Sequence, residues 1–122
     1  MSQETVQNTV HQDHPHLHFH KDGVAHYEEK RFGEAAESFK QALLRNPDHQ
    51  ESHFMIGVCY MKLGFYERAI DHCQIAVALN PAHQDSWDCL ARSRLLAGRL
   101  RESLTALRHI RRISDTPLSV LP

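Results

Sequence analysis

Residues 46–64 read NPDHQESHFMIGVCYMKLG and residues 80–98 read NPAHQDSWDCLARSRLLAG. The two stretches open on the same Asn-Pro pair thirty-four positions apart and close on the same glycine, with Gly57 over Ala91 and His53 over Trp87 between them. Working outward, Gly23 stands one step before Gly57, and Phe19 one step before His53. Ala35, Ala69 and Ser103 keep the same step, as do Phe39, Cys73 and Leu107, and Ala42, Ala76 and Ile110. Columns that hold one register this long define a repeated unit, and units of this length stack because none can bury its own apolar faces alone.

Within the unit the apolar spacing is helical and comes in two runs. In the middle copy, Phe54, Ile56, Cys59, Tyr60 and Leu63 mark one helix; Tyr66, Ala69, Ile70, Cys73, Ala76 and Leu79 mark the next. Gly64 supplies the left-handed residue that ends the first. Pro81 biases Asn80 away from helix and ends the second. Gly57, Ala69 and Ala76 are small where the paired helices must approach closely. Each unit is therefore expected to be a helical hairpin, and the chain to be all-α with six helices.

These residues resemble the tetratricopeptide repeat, whose pattern runs Trp-x2-Leu-Gly-x2-Tyr, Ala-x3-Phe, then Pro. The middle copy carries Ile56-Gly57-x2-Tyr60, Ala69-x3-Cys73 and Pro81; the first carries Gly23-x2-His26, Ala35-x3-Phe39 and Pro47. The third departs most, with Trp87-x2-Leu90-Ala91, then Arg94 in place of an aromatic, Ser103-x3-Leu107, and Asp115 where proline is usual. The resemblance covers residues 16–115 as units 16–49, 50–83 and 84–115, flanked by a polar, His-rich tail over 1–15 and a short tail over 116–122. It implies three stacked helix-turn-helix units in a short right-handed superhelix, an α-solenoid, with the first helix of each pair lining a concave groove.

Carried over position by position, the groove takes Leu17, His20, Val24, Tyr27 and Glu28 from the first unit. The second gives Glu51, Phe54, Val58, Met61 and Lys62, and the third Asp85, Asp88, Arg92, Leu95 and Leu96. This is an apolar floor with charged edges, suited to a peptide segment of a partner protein. Family members that hold the acidic tails of heat-shock chaperones use Lys, Asn and Arg at fixed positions, which here are His20, Val24, Met55, Asp85 and Cys89. That carboxylate clamp is absent. The floor is closer to that of small bacterial tetratricopeptide chaperones which hold a partly apolar segment, so an adaptor or small chaperone is the expected function.

Composition narrows the other classes. With 122 residues, 41% hydrophobic and a net charge of -1, one folded domain is expected. No stretch approaches the roughly 20 apolar residues of a membrane span, and residues 1–8 have no basic or apolar signal region. Cys59, Cys73 and Cys89 form neither a disulfide framework nor a zinc pair, which is consistent with a cytoplasmic setting and core thiols. No phosphate loop, nucleophile elbow or His-Glu-x-x-His helix is present, so no enzyme is expected. The arginines from Arg92 to Arg112 read as a solvated helix face and not as a nucleic-acid footprint.

Histidine is the anomaly, with 11 in the chain. His14, His16, His18 and His20 alternate, and in an extended chain they would share a face able to take Zn or Ni, which makes a metal-binding accessory protein the alternative reading. A helix beginning near Leu17 or His18 would break that face. Past Ile113, residues 114–122 are too short for a polar capping helix, so Leu100, Leu104, Leu107 and Ile110 are expected to be covered by a homodimer contact or by Leu118, Val120 and Leu121.

Overall fold

The computed structural model describes residues 14–113. It contains α1 (Pro15–Glu28), α2 (Phe32–Arg45), α3 (Gln50–Leu63), α4 (Tyr66–Leu79), α5 (Gln84–Leu96) and α6 (Leu100–Ile113), and all the regular structure of the described residues is helical. Each helix packs on the next, and α3 also reaches α5. The result is a solenoid of three hairpins, α1–α2, α3–α4 and α5–α6.

The repeat has a physical cause at each turn. Gly64 and Gly98 both sit at φ 85, in the left-handed region where a glycine pays no Cβ penalty. Lys30 occupies the matching place in the first hairpin at φ 63. Between hairpins, Asn46 and Asn80 end their helices at nearly the same extended backbone angles. Their side-chain oxygens accept from the amides of Asp48 and Ala82 at 3.3 and 3.2 Å. The ring nitrogens of His53 and Trp87, one column, meet the carbonyls of Pro47 and Pro81 at 2.8 and 2.7 Å. Both rings thus tie the start of a hairpin to the turn before it.

Close approach within a hairpin explains the small columns. A Cβ on Gly23 would fall 2.6 Å from the Phe39 ring, and one on Gly57 would fall 2.5 Å from Cys73 Sγ. Apolar burial then closes two seams. Ala35, Phe39, Ile56, Cys59, Tyr60 and Ala69 fill the first, while Ile70, Cys73, Val77, Cys89, Leu90 and Ala91 fill the second. Fully buried side chains the size of Phe39, Ile56, Ile70 and Leu90 contribute about 1.5–3 kcal/mol each.

Three expectations need correction. Leu63 and Leu79, which close the apolar runs of their helices in the sequence, are exposed, and Val77 takes the buried position on α4. Helix α1 starts at Pro15, two residues before the earliest expected start, because proline at the first helical position loses no hydrogen bond. Arg94 is not a solvated cation: its side chain is 13% exposed, with Nε 3.7 Å from Glu102 and Nη1 donating to the Glu102 carbonyl at 3.1 Å. Leu104 and Leu107, expected to need cover, are exposed in the single chain. The tails over 1–13 and 114–122, including Leu118, Val120 and Leu121, lie outside the described residues.

Candidate functional site: the row of first helices

The first helices α1, α3 and α5 place one row of side chains around a depression of about 210 Å³ lined by Tyr27, Phe54, Val58, Met61, Lys62, Asp85, Asp88, Cys89 and Arg92. Eight of these, all but Cys89, are among the groove positions expected from the sequence. Helical spacing does this: Phe54, Val58, Met61 and Lys62 are separated by three- and four-residue steps or adjacency and share one side of α3.

The floor is firm. Phe54, Val58 and Met61 are half-buried and packed on the second core cluster, so they belong to both floor and core. The Phe54 ring meets His83 at 5.0 Å, and the Tyr27 ring meets Phe32 at 5.4 Å. Burial raises the Tyr27 hydroxyl above its ordinary range, so it presents a neutral O–H. Arg92 Nε bonds Asp88 at 2.9 Å, which joins a cation and an anion on the α5 rim.

Of the expected groove residues, Leu17, His20, Val24, Glu28, Glu51, Leu95 and Leu96 are not among the described lining residues. Val24 packs against the first core cluster instead of the depression. Leu95 and Leu96, each 54% exposed, sit at the end of α5 and are not among the described lining residues. Cys89, read from the sequence both as a core thiol and as a clamp position, is both core and floor. At the clamp positions, Met55 packs on the first cluster and His20 faces Ser52 and Glu51, so no cationic clamp is assembled there. A larger depression of about 540 Å³, lined by Gly64, Phe65, Tyr66, Glu67, Arg68 and Ala97, lies at the hairpin turns and shares no described lining residue with this row.

The histidines are not the extended face imagined from their alternation. His14 caps α1, and His16, His18 and His20 lie within it, where a two-residue step turns the side chain to another side. His18 pairs with Asp22 at 3.6 Å. His16 and His20 instead flank His49, with ring centroids 4.9 and 5.0 Å away. Nδ1 of His49 and of His20 approach Ser52 Oγ at 2.7 and 3.2 Å. Burial lowers the proton affinity of both rings. Among the described residues no group of three or more His, Cys, Asp or Glu side chains is arranged to hold a metal ion. No described helix is long and apolar enough to cross a membrane.

A family model described as tetratricopeptide repeat matches residues 21–84. No curated protein matches the sequence. Among solved structures, the Arabidopsis OM64 TPR domain superposes with a TM-score of 0.80 at 16% identity, over 84% of this chain and 85% of that one. The first TPR of Spaghetti (RPAP3), bound to the HSP90 peptide SRMEEVD, gives 0.80 at 17% identity, over 84% and 81%. The Yersinia enterocolitica type III secretion translocator chaperone SycD gives 0.78 at 15% identity, over 83% and 76%. At these identities the likeness is one of fold.

Proposed function

The chain belongs to the tetratricopeptide repeat family, and on that premise we propose that it is a non-catalytic protein-interaction module that holds a peptide segment of a partner along α1, α3 and α5. The observation that carries this reading is the depression itself, in which Tyr27, Phe54, Val58 and Met61 form an apolar floor between Lys62 on one helix and the Asp88–Arg92 pair on another. Half-buried side chains locked by packing lose little freedom on binding, so an apolar segment gains their contact at low entropic cost.

The occupant is not an acidic chaperone tail of the kind seen on the RPAP3 domain. The positions that would grip its terminal carboxylate hold His20, Val24, Met55, Asp85 and Cys89, and the resemblance to the SycD fold supports a chaperone-like grip on a partly apolar stretch.

A peptide-display selection followed by amide chemical-shift mapping tests this. Perturbations are expected at Tyr27, Val58, Met61, Lys62 and Arg92. Since Lys62 and Arg92 are exposed, Lys62→Glu with Arg92→Glu leaves the fold intact and weakens the selected peptide roughly thirty-fold if they flank it, the scale of an interface hot spot. Perturbations confined to the 540 Å³ depression at the turns would refute the reading.

A further inference from the structure

Cys73 on α4 and Cys89 on α5 are buried thiols whose Sγ atoms lie 2.8 Å apart. The third thiol, Cys59, belongs to the other core cluster. The repeat shows what is unusual about the pair. One step of thirty-four residues earlier, the same two positions are Phe39 and Met55, both of them in or against the first cluster. The second seam replaces both large apolar side chains, a phenyl ring and a thioether, with thiols at once. Gly57 makes room for one of them, since a Cβ there would fall 2.5 Å from Cys73 Sγ. Cys89 also lines the depression and Cys73 is not among its described lining residues, so Cys89 is the member of the pair next to the groove.

We propose that Cys73 and Cys89 are a redox pair, oxidised by a hydroperoxide to an intrachain disulfide that clamps the second hairpin to the third beneath the groove. Cys89, reached from the groove side, gives up its proton and attacks one peroxide oxygen. The O–O bond breaks, the Cys89 sulfur becomes a sulfenic acid, and the hydroxide released takes that proton to become water. Cys73 Sγ then attacks the sulfenic sulfur. The S–S bond forms, the S–O bond breaks, and the Cys73 proton leaves with the departing hydroxide as a second water. Two thiols have lost two electrons and two protons, and hydrogen peroxide has become two waters. The hydrogen bond to Cys89, with burial, raises the Cys73 thiol far above its ordinary range, so Cys73 keeps its proton while Cys89 makes the first attack. A covalent S–S length of about 2.05 Å needs a closing movement of less than about 1 Å.

The test treats the folded full chain with hydrogen peroxide and reads intact mass and non-reducing peptide maps. The expected result is a monomer lighter by two hydrogens, one cross-link joining the Cys73 and Cys89 peptides, reversal by dithiothreitol, and a melting temperature raised by about 5–10 °C. Cys59→Ser should leave all four unchanged. The proposal is overturned if the cross-link involves Cys59, if the product is an intermolecular dimer, or if the folded protein gains oxygen at sulfur without losing two hydrogens. Because the map is read on the unsubstituted chain, a failure of Cys73→Ser or Cys89→Ser to fold does not obscure the outcome.

Discussion

Lys30 adopts a left-handed backbone that its column partners, Gly64 and Gly98, reach as glycines. A side chain in that region costs about 1–2 kcal/mol, so Lys30→Gly should raise the melting temperature by several degrees, read by calorimetry. Glycines inside the helices sort by what surrounds them. Gly57→Ala would press against Cys73 Sγ and the Ala69 carbonyl, and overpacking of this kind costs about 1–3 kcal/mol. Gly33→Ala meets nothing within 4 Å and should stabilise by about 0.4–1 kcal/mol. Equal shifts in denaturant midpoint for the two variants would show that close approach is not the reason for glycine at 57. His72 carries the clearest pH signature. Burial, followed by the neighbouring His53 and Lys40, pushes its pKa down to about 4, against the opposing pull of Asp71. The unfolded ring takes a proton near its ordinary 6.5 and the folded ring only near 4, so between those limits the unfolded state binds more protons and stability falls as pH falls. Above that window this group contributes no slope. Thermal melts from pH 8 to 4.5 should decline through it, and His72→Gln should flatten the decline.

At the scale of helices and turns, the second and third hairpins are each tied to the turn before them by one ring nitrogen. Trp87 Nε1 donates to the Pro81 carbonyl, and its ring stacks on His109 at 4.2 Å, so Trp87 links the turn, α5 and α6. Trp87→Phe keeps much of the ring and removes the donor; hydrogen exchange should show faster opening of α5 and α6 by about 1 kcal/mol while α1 and α2 are unaffected. Much of this level was legible from residue types. Gly64 and Pro81 declare their turns, and the small residue at Gly57 declares the close approach. What was not legible depended on tertiary neighbours. Leu79 looks like core by spacing, yet the helix turns it outward and Val77 inward. The alternating histidines suggested an extended face because nothing local shows that His49 and Ser52, more than thirty residues on from His16, wait to receive them. Arg94 looked solvated until Glu102 came across from α6. The groove positions came with the family resemblance: Phe54, Val58, Met61 and Lys62 on α3 line the depression, while Leu95 and Leu96 near the end of α5 are exposed and not among its described lining residues.

For the whole molecule, stacking leaves α6 with one flank unshared among the described residues, and Leu104 and Leu107 are 50% and 41% exposed. Self-association through that flank is the expected outcome at high concentration. Light scattering should show a mass above 14.1 kDa that returns to the monomer value in Leu104→Glu with Leu107→Glu; a monomer at every concentration would refute it. The two seams between hairpins are also built from different materials. The first is lined by His16, His20 and His49 around Ser52, with Glu51 beside them. The second is crossed by Arg99 to Glu67 at 2.9 Å and closed by its pair of thiols. The second seam holds one ring in the corresponding place, His83 beside Ser86 and Gln50, where the first gathers three. A coil assembled from near-identical links therefore has joints of unlike make, so acid bears on the one with three imidazoles and an oxidant on the one with two thiols.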